Sequence, residues 1–174
     1  MTRFKMFLSL AGLALLGVAV GQAQEKKIVM THVKYDGLKQ EILKHRGKVV
    51  VVDFWATWCI NCKQAFPHFI EMQKKYADKG LIVISVSVDE KTEDPANIES
   101  ANKYLNDVKS PFRNLLLDEP STIWSDKFGF ESLPAYFVFD RQGKWIRYRA
   151  ADYKKEGVLY DELEKLVVKM LDEK

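Results

Sequence analysis

The sequence predicts a single α/β domain whose central sheet is mixed, with both parallel and antiparallel strands. Two near-continuous runs of β-branched and apolar residues, 48–55 and 81–88, are typical of strands that are buried on both faces. A helical pattern between them makes a strand–helix–strand unit, which favours parallel pairing. Two later strands joined by a tight turn predict an antiparallel hairpin, so both kinds of pair are expected.

The helices of the first half follow from apolar spacing and from residues that start or stop a helix. Asp36 is predicted to cap a helix over 37–46, which Gly47 ends. A second helix is predicted over 60–79, with aromatic and aliphatic residues at helical spacing. Pro67 lies inside this helix and should kink it, because its ring displaces the chain and removes a hydrogen bond.

The second half begins with a polar insert that has a helix of its own, and it ends in a hairpin and an amphipathic helix. The predicted elements are a helix over 95–108, a strand over 114–118, a helix over 121–128 that Gly129 closes, strands over 135–139 and 145–149 around a turn at 140–143, and a final helix over 156–171.

The composition is that of an ordinary globular domain. The chain has 174 residues, of which 47% are hydrophobic and 29% charged, and this length suffices for a sizeable core. The net charge of +3 is small, and no run of lysine and arginine stands out. The charge pattern therefore argues against a nucleic-acid partner.

The N-terminal segment has the three parts of an export signal. Two basic residues precede an apolar run over 8–20, which is shorter than the roughly 20 residues needed to cross a bilayer, and small residues precede a cleavage position after Ala23. We therefore expect a signal peptide over 1–23 and one domain over 24–174, soluble in a bacterial periplasm or another exported space. If it is not cleaved, this segment would be an anchor and the only contact with a membrane.

The two cysteines, Cys59 and Cys62, lie within four residues of each other. A structural bridge, half a metal site and a reactive dithiol are the three interpretations. A disulfide that closes so short a loop restricts the unfolded chain less than one that closes a long loop, so it would stabilise the fold only weakly. Two cysteines supply only half of a tetrahedral zinc site, and His68 is better explained as a surface or packing residue. We therefore expect a dithiol, with no metal and no cofactor.

The position of the dithiol predicts which cysteine reacts. Cys59 is expected at the N-terminus of the second helix, where unpaired N–H groups and the helix dipole stabilise a thiolate. Cys62 follows one turn later, close enough to resolve a mixed disulfide. Lys63 either adds positive charge nearby or is simply a solvated lysine.

Several segments, in this order, resemble the thioredoxin superfamily. They are Asp53-Phe54-Trp55, the following Ala-Thr-Trp-Cys-Ile-Asn-Cys-Lys, Pro67 within the helix, and Leu133-Pro134 before a strand. The export signal and the extra helix between Cys62 and Pro134 resemble the TlpA/ResA-like branch, exported reductases that include cytochrome c maturation proteins. The resemblance implies a thioredoxin fold, with a central mixed sheet flanked by helices and an extra helical insert between its βαβ and ββα halves.

The resemblance also implies roles at the site. The peptide bond at Leu133–Pro134 would be cis, would lie beside the dithiol and would present backbone to the substrate. From the residues alone, Pro134 could equally be a trans proline that opens a strand. Trp58 would be the aromatic flank of the site, and the alternative is a core tryptophan.

Two acidic residues complete the implied site. Asp53 lies inside an apolar strand, and in thioredoxins the matching aspartate helps to transfer protons to and from the inner cysteine. The alternative is a strand-end aspartate that bonds neighbouring backbone. Thioredoxin's partner lysine is replaced here, with Ser85 near that position, and Glu90 resembles an acidic residue that exported relatives carry near the site.

The predicted activity is an exported thiol–disulfide oxidoreductase that reduces protein disulfides, with an apocytochrome haem-attachment site as one candidate substrate. A membrane thiol reductant would restore the dithiol, because exported compartments are oxidising. The pair Ile60-Asn61 between the cysteines departs from the usual proline-containing pair, which leaves the direction of electron flow open. The alternatives are a disulfide-forming oxidant, a thiol peroxidase, which the position of Thr57 disfavours, and a non-catalytic binding module.

Overall fold

The computed structural model describes residues 27–89, 95–149 and 158–173. The predicted signal peptide and Glu90 lie outside these residues, so both remain predictions. In the described part of the chain, no helix is long and apolar enough to cross a membrane.

A mixed sheet forms the centre of the described structure. Its strands are β1 (Thr31–Val33), β2 (Val49–Trp55), β3 (Leu81–Ser87), β4 (Arg113–Leu117), β5 (Ala135–Phe139) and β6 (Trp145–Arg149). They lie in the order β1-β4-β3-β2-β5-β6. The four strands from β1 to β2 pair in parallel, and β5 pairs antiparallel with both β2 and β6. The predicted mixed sheet is therefore confirmed.

The helices match the predicted positions closely. They are α1 (Tyr35–Leu43), α2 (Ile60–Tyr76), which a 3-10 turn continues through Lys79, α3 (Pro95–Asp107) and α4 (Val158–Asp172). The helix expected over 121–128 forms mainly as a π-helical turn, Trp124–Phe128, which Gly129 closes with a left-handed φ of 65°. Pro67 lies within α2, as predicted.

The first helix departs from the prediction at both ends. Lys34 rather than Asp36 is the cap residue of α1, so the predicted cap is wrong. Asp36 lies inside the first turn, where a carboxylate stabilises the helix N-terminus through the dipole instead. The helix ends at Leu43, and Gly47, with a φ of 85°, belongs to the turn into β2.

Strand β2 is the central strand that its sequence predicted. All seven of its residues are buried, and it pairs with β3 on one side and β5 on the other. Successive side chains point to opposite faces of the sheet. Trp55 therefore packs on Phe66 of α2, whereas Phe54 packs on the aromatic rings of Phe128 and Phe137 on the α1 face.

The predicted insert contains a strand as well as a helix. Strand β4 lies between β1 and β3, so the insert widens the sheet. The sequence analysis did not predict β1, because it is short and largely exposed and shows no apolar pattern. Two side chains of α3 hold the segment that precedes β1. Asn106 accepts a hydrogen bond from the backbone N–H of Ile28 at 2.8 Å, and Asn102 accepts one from that of Met30 at 2.9 Å.

Candidate active site

The loop between β2 and α2 presents the two cysteines as a disulfide. Cys59 is the cap residue of α2, and its Sγ accepts a hydrogen bond from the backbone N–H of Cys62 at 3.2 Å. Cys59 retains 6% exposure, whereas Cys62 is fully buried. Cys59 therefore lies at the start of the helix, where it was predicted, and it is the more exposed of the two cysteines. The helix N-terminus would stabilise its thiolate after reduction.

Large apolar side chains beside the disulfide are exposed. Trp58, immediately before Cys59, is 59% exposed, and Ile60, immediately after it, is 67% exposed. The alternative of a core tryptophan is therefore wrong. Water-exposed side chains of this size favour contact with another molecule, because burying them would release their apolar surface from water.

The peptide bond between Leu133 and Pro134 is cis, as the resemblance implied. Ala135 pairs with Phe54, so Pro134 lies beside the end of β2, from which the cysteine loop leaves. Pro134 is buried and Leu133 half-buried. The two residues therefore lie at the same end of the sheet as Cys59.

Asp53 is fully buried on the α2 face of β2, and neither of its carboxyl oxygens has a hydrogen-bond partner in the described structure. Burial raises the pKa of Asp53 well above its usual value, because no partner compensates for the loss of water around the charge. The alternative of an aspartate that bonds neighbouring backbone is wrong. Burial instead favours the protonated form of this carboxyl group in the oxidised protein.

Two tyrosines also belong to the buried surroundings of Asp53. Tyr136 lies directly opposite Asp53 on β5, and its hydroxyl donates to the hydroxyl of Tyr160 at 3.2 Å. Tyr104 of α3 donates to the backbone carbonyl of Lys63, next to Cys62, at 3.1 Å. Burial raises the pKa of Tyr104 to about 12, and it raises that of Tyr136 further. Both hydroxyls therefore stay neutral donors.

Ser85 lies opposite Asp53 on β3. The sequence comparison placed Ser85 near the position of thioredoxin's lysine. Its hydroxyl oxygen accepts a hydrogen bond from the indole Nε1 of Trp55 at 2.7 Å. Ser85 therefore fixes the last residue of β2 and supplies no cation to Asp53.

Asp89 is a site residue that the sequence analysis missed. It is 2% exposed, and its carboxylate accepts hydrogen bonds from the backbone N–H of Thr57 at 3.0 Å, from the Thr57 hydroxyl at 2.6 Å and from the Ser87 hydroxyl at 2.8 Å. These bonds hold the turn before Cys59 against the end of β3. The signal in the sequence was an aspartate just after a buried parallel strand, at the edge where the cysteine loop also lies.

His68 lies on α2 and is exposed. Its ring stacks on that of Tyr160 of α4, with centroids 5.3 Å apart and planes 14° from parallel. The prediction of a surface or packing histidine is confirmed.

The sheet, the cysteine pair at the start of α2 and the cis proline at the adjacent strand define a member of the thioredoxin superfamily. The chain belongs to the AhpC/TSA family, whose model matches residues 17–149. The predicted superfamily, including its ResA-like branch, is confirmed by the relatives described next.

Relatives of known name are thiol–disulfide enzymes. The thiol-disulfide oxidoreductase ResA of Bacillus thuringiensis subsp. konkukian is 32% identical over 121 residues, which cover 70% of this chain and 65% of that protein. Protein DipZ of Mycobacterium bovis is 32% identical over 148 residues, which cover 82% of this chain and 21% of that protein. The chain thus spans less than two thirds of ResA and a small part of DipZ.

Solved structures support the same fold. A Chlorobium tepidum protein assigned as thiol:disulfide interchange protein DsbE is 30% identical, with a TM-score of 0.54, over 75% of this chain and 84% of that one. The thioredoxin domain of a thiol-disulfide oxidoreductase from Bacteroides vulgatus is 26% identical, with a TM-score of 0.56, over 72% and 84% of the two chains. These likenesses agree with the predicted class of activity.

The burial of Asp53 predicts a pH dependence of stability. The pKa is raised in the folded state, so above the unfolded value of about 3.9 folding takes up a proton. The free energy of unfolding of the oxidised protein should therefore lose about 1.4 kcal/mol per pH unit, from that value up to the folded pKa, through Asp53. Asp53→Asn should remove this component of the slope, measured by urea denaturation at several pH values.

A matched control is Asp78→Asn, which changes an exposed aspartate after α2 and should leave the slope as it is. Glu41 and Glu164, whose pKa values are lowered, contribute equally to all three proteins. An identical slope in the wild type and in Asp53→Asn would contradict a buried neutral carboxyl group.

The hydrogen bonds of Asp89 predict a second effect. Asp89→Ala should lower the free energy of unfolding by about 2–3 kcal/mol, because the buried donors of Thr57 and Ser87 lose their acceptor. It should also speed amide hydrogen exchange at Thr57 while exchange at Val51 stays slow. Asp89→Asn, which keeps one acceptor oxygen, should give an intermediate effect. Unchanged exchange at Thr57 in Asp89→Ala would show that the carboxylate does not hold the turn.

Proposed function

We propose that this chain is an exported thiol–disulfide oxidoreductase that reduces disulfide bonds in proteins. The observation that carries the proposal is the Cys59–Cys62 disulfide at the start of α2, with one cysteine reachable and the other buried. The names of its relatives support this class of reaction. The site residues of the proposal are Cys59 and Cys62 as the reacting pair, Asp53, Trp58 and Glu90 as supporting residues, and Leu133 and Pro134 at the substrate.

The first step begins from the reduced dithiol. The Cys59 thiolate attacks one sulfur of the substrate disulfide, and that S–S bond breaks. The second substrate sulfur leaves as a thiolate and takes a proton from water. A mixed disulfide between Cys59 and the substrate results, and the helix N-terminus has stabilised the attacking thiolate without being consumed.

The second step closes the internal disulfide. Cys62 loses its proton and attacks the Cys59 sulfur, and the mixed disulfide breaks. The substrate sulfur that Cys59 had attacked leaves as a thiolate and takes a proton from water. Two electrons have then passed from the dithiol to the substrate. Asp53 accepts the Cys62 proton in this proposal, and its raised pKa in the oxidised protein agrees with that role. Ser85, which lies opposite Asp53, carries no charge. Asp53 is therefore the one acidic residue at this level of the sheet, among the described residues, that can take the proton.

The substrate is a protein segment that carries a cysteine pair. Exposed Trp58 and Ile60 flank Cys59, and half-buried Leu133 precedes the cis proline, so an extended chain could lie across all three. An apocytochrome haem-attachment site is one such segment. Glu90 follows Asp89 in the sequence, and we assign it a supporting role in the reaction because it resembles an acidic residue of exported relatives.

The reductant that restores the dithiol depends on the compartment to which the chain is exported. The predicted signal peptide would deliver the chain to an oxidising compartment, which holds no reducing thiol pool of its own. A membrane thiol reductant would therefore reduce the Cys59–Cys62 disulfide after each turnover. The mature domain would be soluble there.

Cysteine variants test the assigned roles. Cys59→Ser should abolish reduction of insulin disulfides by dithiothreitol-fed protein, because the attacking sulfur is lost. Cys62→Ser should instead trap a mixed disulfide with the substrate, visible as a covalent adduct in a non-reducing gel. Catalysis that survives in Cys59→Ser would show that the nucleophile is misassigned, and peroxide consumption without a protein substrate would favour the thiol peroxidase.

The reduction potential of the Cys59–Cys62 pair tests the direction of electron flow. The expected value, in dithiothreitol buffers followed by tryptophan fluorescence, is about −270 mV or lower, as for a protein that donates electrons. A value near about −120 mV would instead identify an oxidant that installs disulfides.

A further inference from the structure

A second concave site lies away from the dithiol, on the other face of the sheet. It is a cavity of about 260 Å³ between α1, the start of β2 and the β5–β6 hairpin. Its apolar lining includes Leu38, Ile42, Phe128, Phe137, Phe139 and Trp145. These side chains leave space among them, and Trp145 remains 54% exposed.

The register of the sheet separates this cavity from the cysteines. Val50, which lines the cavity, pairs with Phe139 at the start of β2, whereas the cysteine loop follows Trp55 at its end. The five residue steps from Val50 to Trp55 span about 16 Å at the strand rise. Asp53 also faces α2 and not the cavity, since it shares its row with Tyr136. The two sites can therefore be tested independently.

The rim of the cavity is cationic. Lys39, Arg46, Lys48 and Lys127 line it, all are exposed, and none forms an ion pair with a carboxylate in the described structure. Asp140 is the acidic residue of the lining, but its Oδ1 accepts hydrogen bonds from the backbone N–H groups of the 140–143 turn and of the residue after it, at 2.9 and 2.8 Å. The four cations outnumber this one carboxylate, so the rim has a positive balance of charge and attracts an anion.

The size of the cavity limits the ligand. An apolar protein cavity of about 150 Å³ holds benzene, and drug-sized ligands take roughly 300–1,000 Å³. We propose that the cavity between α1 and the β5–β6 hairpin binds a small amphipathic carboxylate, with the carboxylate at the cationic rim and the hydrocarbon body on the aromatic floor. The body is one or two rings or a medium-length acyl chain.

Both ends of the cavity can hold the carboxylate. Lys39 and Lys127 lie near Tyr35, over whose ring the Lys127 Nζ lies at 5.8 Å from the centroid. Arg46 and Lys48 lie beyond the other end of α1, near the 140–143 turn. Substitution of each pair therefore shows which end takes the charge.

Decanoate, decanol and decyltrimethylammonium are the probes, because they share a chain and differ in charge. In titration calorimetry on the purified full chain, decanoate should bind at one site at least about tenfold more tightly than decanol, and the cation should not bind. Either Lys39→Gln/Lys127→Gln or Arg46→Gln/Lys48→Gln should lower the decanoate affinity about tenfold, which corresponds to loss of one charge-assisted hydrogen bond. Decanol binding should stay the same in both.

One further variant and one further measurement keep the outcome decisive. Leu43→Trp, at a half-exposed position of the lining, should fill the cavity and abolish decanoate binding while insulin reduction by the dithiol is unchanged. Sedimentation of the same samples detects a second copy of the chain on the exposed Trp145 surface. Equal binding of decanoate and decanol, no saturable binding, or self-association that decanoate does not compete with would each overturn the proposal.

Discussion

The pairing of β2 on both sides is the constraint on which the rest of the structure depends. A parallel neighbour on one side and an antiparallel neighbour on the other satisfy its backbone groups, which a strand buried along its full length cannot leave unbonded. One end of this strand leads into the cysteine loop, and the cis proline lies at the same end, immediately before the partner strand β5. The position of the dithiol relative to Pro134 therefore follows from the register of one strand pair.

Two buried aspartates at this end of the sheet illustrate opposite solutions to the cost of burying a carboxyl group. Asp89 has three hydrogen-bond donors from Thr57 and Ser87, so it can hold the turn before Cys59. Neither oxygen of Asp53 has a hydrogen-bond partner in the described structure, and burial raises its pKa instead. The first residue gives the loop a fixed geometry, and the second gives the interior behind the disulfide a group that can exchange a proton.

The insert connects the site to the far edge of the sheet. Helix α3 packs Tyr104 against Trp55 and Phe66 and also bonds the carbonyl next to Cys62. The same helix holds the chain entering β1 through Asn102 and Asn106. The two faces of the sheet therefore differ in how they are covered. Helices α2 and α3 enclose the surroundings of the dithiol on one face, whereas the cation-rimmed cavity stays open on the α1 face.

The sequence by itself determined the order of elements, the central strand, the dithiol at a helix start and the site of the hairpin turn. These depend on local apolar periodicity, on glycine and proline positions and on two cysteines in one turn, all of which are readable along the chain. The start of α1 was misjudged, because Asp36 favours a helix N-terminus equally as a cap and as a first-turn residue. Strand β1 carried no pattern, since it exists through pairing with β4. Only the tertiary structure decided that Asp53 has no partner, that Asp89 holds Thr57 and that four cations surround one cavity, because each depends on residues brought together from distant segments.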